Sequence, residues 1–119
     1  MSEEKPALEQ DFEESENVLD LLAEKPQIRN YTLKAADTEY RIPLPPRTRK
    51  YEIQARTSVD LRLSFEKGAV ADTTQGKEYW TLKADSVYWE DHLDLEGDLI
   101  LYVAGGTAGI IVEVKIWWK

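Results

Sequence analysis

Cysteine is absent from all 119 residues. That excludes a disulfide framework, a thiolate nucleophile and any Cys-based zinc site, and it permits a reducing compartment. No run of about 18 apolar residues occurs, so no segment has the composition of a membrane-spanning helix. There is one histidine, His92. No serine sits in a Gly-x-Ser-x-Gly elbow. The pair Gly105-Gly106 is not followed by Lys-Ser/Thr, so a Walker-type phosphate cradle is missing. The opening MSEEKPALEQ is acidic and lacks the apolar centre of a secretory signal. The expectation is therefore a protein made and used without export, with no enzyme activity, no cofactor and no metal.

Charge is plentiful but unevenly placed. The net charge is −8. Residues 1–24 hold nine acids and one base, whereas residues 25–119 hold fourteen of each. The whole imbalance lies in an N-terminal arm. The remainder is itself polarised: Lys25–Lys67 carries ten bases and five acids, and Gly68–Lys119 four bases and nine acids. Such asymmetry points to charge-complementary contacts, or to strands that interleave in space and mix the charges. Nucleic acid is disfavoured as a partner, because no continuous basic face is in evidence; a membrane is not expected either.

Residues 1–26 form the acidic arm, and its polarity favours disorder when free. Within it, Ser15 can cap a short helix that presents Val18, Leu19 and Leu22 on one face, with Pro26 ending it. So short a helix is marginal alone and needs a surface to dock on. Phe12, Val18, Leu19 and Leu22 are thus candidate partner-binding residues, on this domain or on a neighbouring chain.

From Ile28 the apolar period changes to two. Tyr31 and Leu33, then Tyr40, Ile42 and Leu44, then Tyr51, Ile53 and Ala55, then Val59, Leu61, Leu63 and Phe65 alternate with polar residues, the pattern of half-buried strands. Lys67–Lys77 reads as a loop with glycine near both ends. Glu78–Lys83, Ser86–Asp91 and a strand through Leu99, Leu101 and Val103 follow. After the glycine-rich turn 105–109, Ile110, Val112, Val114, Ile116 and Trp118 share one face, and Ile111, Glu113, Lys115 and Trp117 the other. About eight short strands with turn signals predict an all-β, antiparallel β-sandwich of jelly-roll type over residues 27–119, with a small closed barrel as the alternative.

Three clusters are candidate sites. Pro43–Lys50 reads as a loop whose Arg47, Arg49 and Lys50 could receive a carboxylate-rich partner, the acidic arm included. Trp80, Trp89 and Trp117 each belong to an adjacent aromatic pair, and strand geometry sends one ring of each pair to each face. The outer ring of a pair is a candidate for an interface or a stacking platform for sugars. The acids of Glu90–Asp98 could draw calcium only from a shared loop, whereas Leu93 and Leu95 argue for a strand with those acids in solvent. His92 reads as a surface turn residue.

Several segments resemble small β-sandwich virion proteins of tailed phages. They are T-x-Y-x-x-x-L-P at Thr38–Pro45, K-x-x-I-x-x-R at Lys50–Arg56, L-R-x-x-F at Leu61–Phe65, Y-W-x-x-x-L at Tyr88–Leu93 and A-G-x-x-x-E-x-x-x-W at Ala108–Trp117. The resemblance spans roughly residues 31–118, and its motifs are structural. It implies a particle component such as a capsid decoration (cement) protein, made in the host cytoplasm and located on the virion capsid surface. Its implied partner is the major capsid protein, and self-association is expected, a trimer favoured. The alternative is a glycan- or receptor-binding module of a tail or neck.

Overall fold

The computed structural model describes residues 26–118. Phe12, Val18, Leu19 and Leu22, with the helix expected around them, lie outside the described residues.

Eight strands are formed: β1 (Gln27–Leu33), β2 (Tyr40–Leu44), β3 (Thr48–Ala55), β4 (Leu61–Ser64), β5 (Trp80–Leu82), β6 (Val87–Glu90), β7 (Leu99–Gly105) and β8 (Ile110–Trp118). They make two four-stranded antiparallel sheets in the orders β1-β8-β3-β6 and β2-β7-β4-β5. This is a jelly roll, two interlocked Greek keys in an open sandwich, and not a closed barrel. Every hydrogen-bonded pair joins a strand from before the β4–β5 loop to one from after it. The chain folds as one long hairpin that then rolls up. The basic first part and the acidic second part are thereby interleaved strand by strand.

Alternation fixes which side chains go inside. Fourteen buried side chains form the core between the sheets, among them Leu33, Ile42, Ile53, Leu63, Leu101 and Val112. Burying each such side chain fully is worth roughly 1.5–3 kcal/mol, far more than any surface ion pair here. The irregular crossings need special backbone, and Asp37, Arg47, Asp85 and His92 take positive φ. Asp and His are among the residues that tolerate this best, whereas Arg47 is held there by its partners.

Three expectations about elements need correction. Thr48, Arg49 and Lys50 are not loop but the start of β3, with a bulge between Thr48 and Lys50. Asp91–Asp98 is not a strand: it runs beside the start of β3 through only two backbone bonds, Leu93 N to Arg49 O at 3.0 Å and Arg47 N to Leu95 O at 2.8 Å. Leu93 and Leu95 still pack on the core, so the alternation was real without a ladder. Phe65 falls just beyond β4 and is exposed.

One polar cluster lies inside. Tyr51 and Glu90 are register partners on β3 and β6, and both face inward with Tyr88. The Tyr51 hydroxyl donates to Glu90 Oε1 at 3.2 Å, and the Tyr88 hydroxyl donates to Glu90 Oε2. Burial, then the Glu90 hydrogen bond and charge, push the Tyr88 hydroxyl up from 10.0 to about 12. Burial first and the Glu90 charge second raise Tyr51 in the same direction. Folding stability from these groups is complete below the unfolded value of 10.0 and is lost as pH rises through the folded values. The expected outcome is a fold stable through neutral pH that unfolds in strong alkali. In a tyrosine absorbance titration, Tyr51 and Tyr88 ionise last among the six tyrosines, together with unfolding. Ionisation of all six in one step near 10 with the fold intact would contradict this.

Candidate functional site

The two outer faces of the sandwich differ. On the β2-β7-β4-β5 sheet, the loop 65–79 folds back over the surface. Ala69 and Val70 bury against Ala104 and Tyr102. Buried polar groups pin the loop: Arg62 Nε donates to Val70 O at 2.8 Å, the Gly68 N–H donates to the Glu39 carboxylate at 2.9 Å, and Ser64 Oγ donates to Glu78 O at 2.8 Å. Arg62 also pairs with Asp37 at 2.8 Å. The loop thus covers the β7 and β4 part of this face, while Arg41, Pro43 and Thr81 stay exposed.

The β1-β8-β3-β6 sheet carries no such cover among the described residues. Register places its outward side chains in rows: Lys50 beside Trp117, then Ile28, Lys115, Glu52 and Trp89 across all four strands, then Asn30, Glu113, Gln54 and Val87. Ile28 is 66% exposed, Trp89 51% and Val87 48%. These bare apolar side chains stand at the two edges of one sheet face, with Lys115, Glu52, Glu113 and Gln54 between them, which makes the face a candidate surface for interaction. Between the rows lies a shallow depression of about 260 Å³.

Charge organises this face. Lys50 Nζ sits 4.8 Å from the Trp117 ring centroid and 5.5 Å from that of Trp89, and Lys115 Nζ is 5.6 Å from Trp117. Glu52 bridges the two lysines, at 3.4 Å from Lys50 and 3.2 Å from Lys115. The ammonium groups are thus held over aromatic faces, where the ring quadrupole attracts them. Further along, Gln54 Nε2 donates to Glu113 at 2.8 Å and Arg56 Nε pairs with it at 2.7 Å. These two bonds hold the exposed Glu113 carboxyl below its ordinary value, the Gln54 bond contributing most. The network fixes long side chains around the tryptophans and leaves the indoles and the Ile28 and Val87 side chains available.

The expected basic loop does not exist as a unit, because β3 starts at Thr48 and alternation parts its members. Arg47 turns away to Asp94, with Nε 3.1 Å from Oδ1. Arg49 points to the other side of the strand, and its buried Nε has no hydrogen-bond partner among the described residues. Lys50 alone reaches the outer face. Of the three tryptophans, Trp89 and Trp117 share that face. Trp80 does not: it is the register partner of the inward Leu63 and packs between Phe65 and Tyr88, with ring centroids 5.7 and 5.3 Å away. Tyr79 is the outer ring of that pair. His92 is almost wholly in solvent beside Asp91. Among the described residues no group of three or more His, Asp or Glu is placed to hold a metal ion, and no helix is long and apolar enough to cross a membrane. Sequence reasoning passed over Ile28 and Val87 as surface residues. Each continues an outward row set by Lys115 or Gln54, but only the strand order shows it.

This placement separates Trp89 from Trp80 by experiment. Trp89→Ala should change unfolding free energy by no more than about 0.5 kcal/mol, as for other exposed positions. Trp80→Ala should cost about 3 kcal/mol, as for a ring removed from a packed core. Chemical denaturation of both variants measures the difference; equal costs would show that Trp89 is a structural residue.

No family model matches the chain, and no curated protein matches it. Among solved structures, the chain is similar to a de novo designed double-stranded β-helix, with 16% identity over 76% of this chain and 97% of that one and a TM-score of 0.52. A structure described as Bacillus endospore appendages that form a family of disulfide-linked pili matches at 16% identity, over 79% of this chain and 84% of that one, with a TM-score of 0.41. At such identities the first likeness speaks to the fold alone. What the strand order establishes, and the first likeness agrees with, is the architecture: an all-β chain of two antiparallel sheets in jelly-roll order.

Proposed function

We propose that this chain is a structural protein of a tailed-phage particle, a capsid decoration (cement) protein that binds the head lattice. The observation that carries the reading is the unequal treatment of the two sheet faces. One is partly covered by the chain's own loop, and the other presents Ile28, Val87, Trp89 and Trp117 around a fixed network of charges. The resemblance of Thr38–Trp117 to small virion sandwiches supports it, as does the concentration of the entire net charge on residues 1–24. The partner is then the major capsid protein, with self-association on the lattice, as a trimer in the favoured form.

The bare face is small. Four strands about 4.8 Å apart and some seven residues long present on the order of 400 Å². A stable protein interface buries about 800 Å² per partner. The arm supplies the remainder: residues 1–26 span up to about 80 Å when extended, enough to cross a neighbouring subunit. Many copies on one lattice also add avidity.

A second reading places the same face on a tail or neck as a glycan- or receptor-binding module. It is favoured by the depression lined by Asn30, Gln54, Glu52 and Glu113, which offer hydrogen-bonding groups, and by the half-exposed Trp89 ring on the same face, the register neighbour of Glu52.

Decoration of capsids separates the two. Deleting residues 1–26, or making Trp89→Ala, should lower occupancy on purified heads and lower the temperature of DNA release. Unchanged occupancy and release for both variants would sink the decoration role. Saturable binding to host cell-wall polysaccharide, lost in Trp89→Ala, would favour the glycan reading.

A further inference from the structure

We infer that the bare β1-β8-β3-β6 face is the docking site of the chain's own arm, in cis, with Val18, Leu19 and Leu22 seated on Ile28, Val87 and Trp89. This goes beyond the decoration reading and holds for the free protein whatever particle it joins.

Three observations converge on this occupant. The first is connection. The arm enters the fold at Gln27 on β1, an edge strand of this sheet, and Gln27 is the register partner of Ile116, one residue from Trp117. Leu22 precedes Gln27 by five residues, a reach of roughly 11 Å when the helix continues to Pro26 and only the last two steps are extended. The middle of the face, along β3, lies two strands from β1, about 10 Å away. Leu22 therefore reaches the centre of its own sheet, and a tethered segment has an effective concentration in the millimolar range.

The second is size. The sheet is about 14 Å across between its outer strands. A helix capped by Ser15 and ended by Pro26, the expectation from sequence, would be about 15 Å long and 10 Å wide. It matches the face, whereas a second folded copy needs about twice the area the face offers.

The third is complementarity. The arm carries nine acids and one base and a stripe of three large aliphatic residues. The face carries three bases, Lys50, Arg56 and Lys115, to two acids, Glu52 and Glu113. This face is therefore net cationic by one charge, whereas across all described residues acids outnumber bases, fourteen to twelve. The aliphatic stripe has exposed apolar partners, and the acids that flank it have lysines already held over indole rings. The docked arm shields the largest exposed apolar side chains until a partner displaces it, and that displacement then frees both arm and face together.

The test uses the full chain. In Val18→Asp/Leu22→Asp, both changes precede β1 and leave the sandwich sequence intact. Two-dimensional NMR of the free protein should show the Trp89 indole and the Ile28 and Val87 resonances shifting on this double substitution. Ala69 and Val70, packed on the outer face of the opposite sheet, should stay still. Lys50→Glu in an otherwise natural chain should produce part of the same shift. The shifts should not depend on protein concentration. Face resonances that ignore the double substitution would overturn the proposal. A shift that appears only as concentration rises would also overturn it, since it would place the arm on a second copy.

Discussion

Each hydrogen-bonded strand pair in this domain joins the part of the chain before residue 65 to the part after residue 79. That constraint organises the rest. It makes nearly every backbone contact in the sheets non-local, so the fold is defined by one hairpin, β4–β5, about which the two arms of the chain wind together. It explains the polarised charge. A basic first half and an acidic second half repel themselves in isolation but meet as neighbours once rolled up, as in Arg47–Asp94 and Arg56–Glu113. Individually these exposed pairs are worth at most about 1 kcal/mol. Their use is in register: a slip of β3 by two residues would set Lys50 against Lys115 and Glu52 against Glu113, and a slip by one would turn its apolar row to solvent.

The same winding leaves a 15-residue excursion between β4 and β5 on one side of the sandwich only. That excursion covers part of the β2-β7-β4-β5 sheet with Ala69 and Val70 and leaves its counterpart open. Asymmetry of cover is what distinguishes the two outer faces of this sandwich and supports the proposal that the open one binds. The open face is prepared in detail: Glu52 holds two lysines, the lysines sit over Trp89 and Trp117, and Gln54 with Arg56 fixes Glu113. Long side chains that are already ordered lose less entropy on binding, so the network suits an interface better than a loose surface of the same composition would.

Much of this was legible in the residues. The period of two gave the inward rows of β2, β3, β4, β7 and β8, because burial and alternation are the same fact seen twice. The division of Ile110–Trp118 into two faces holds residue by residue. What was not legible was adjacency. Lys50 meets Trp117 and Trp89 only because β3 lies between β8 and β6, and no local pattern encodes that order. The loop-like look of Pro43–Lys50 misled because its prolines are local signals, whereas the bulge that starts β3 at Thr48 is imposed by pairing with Trp118 and Trp117. Trp80 and Tyr79 were interchangeable by composition, and the short β5 offered too few alternations to tell which faced in. Leu93 and Leu95 alternate like a strand because they pack like one, without a partner strand to bond.

The central claim is that the β1-β8-β3-β6 face is the surface through which the protein meets its partner. A photo-crosslinking amino acid placed at position 89, and in a second variant at position 41 on the opposite sheet, tests it most directly on assembled particles. The account predicts an adduct to another polypeptide of the particle from position 89 and none from position 41. Adducts from position 41 alone, or from neither, would contradict it.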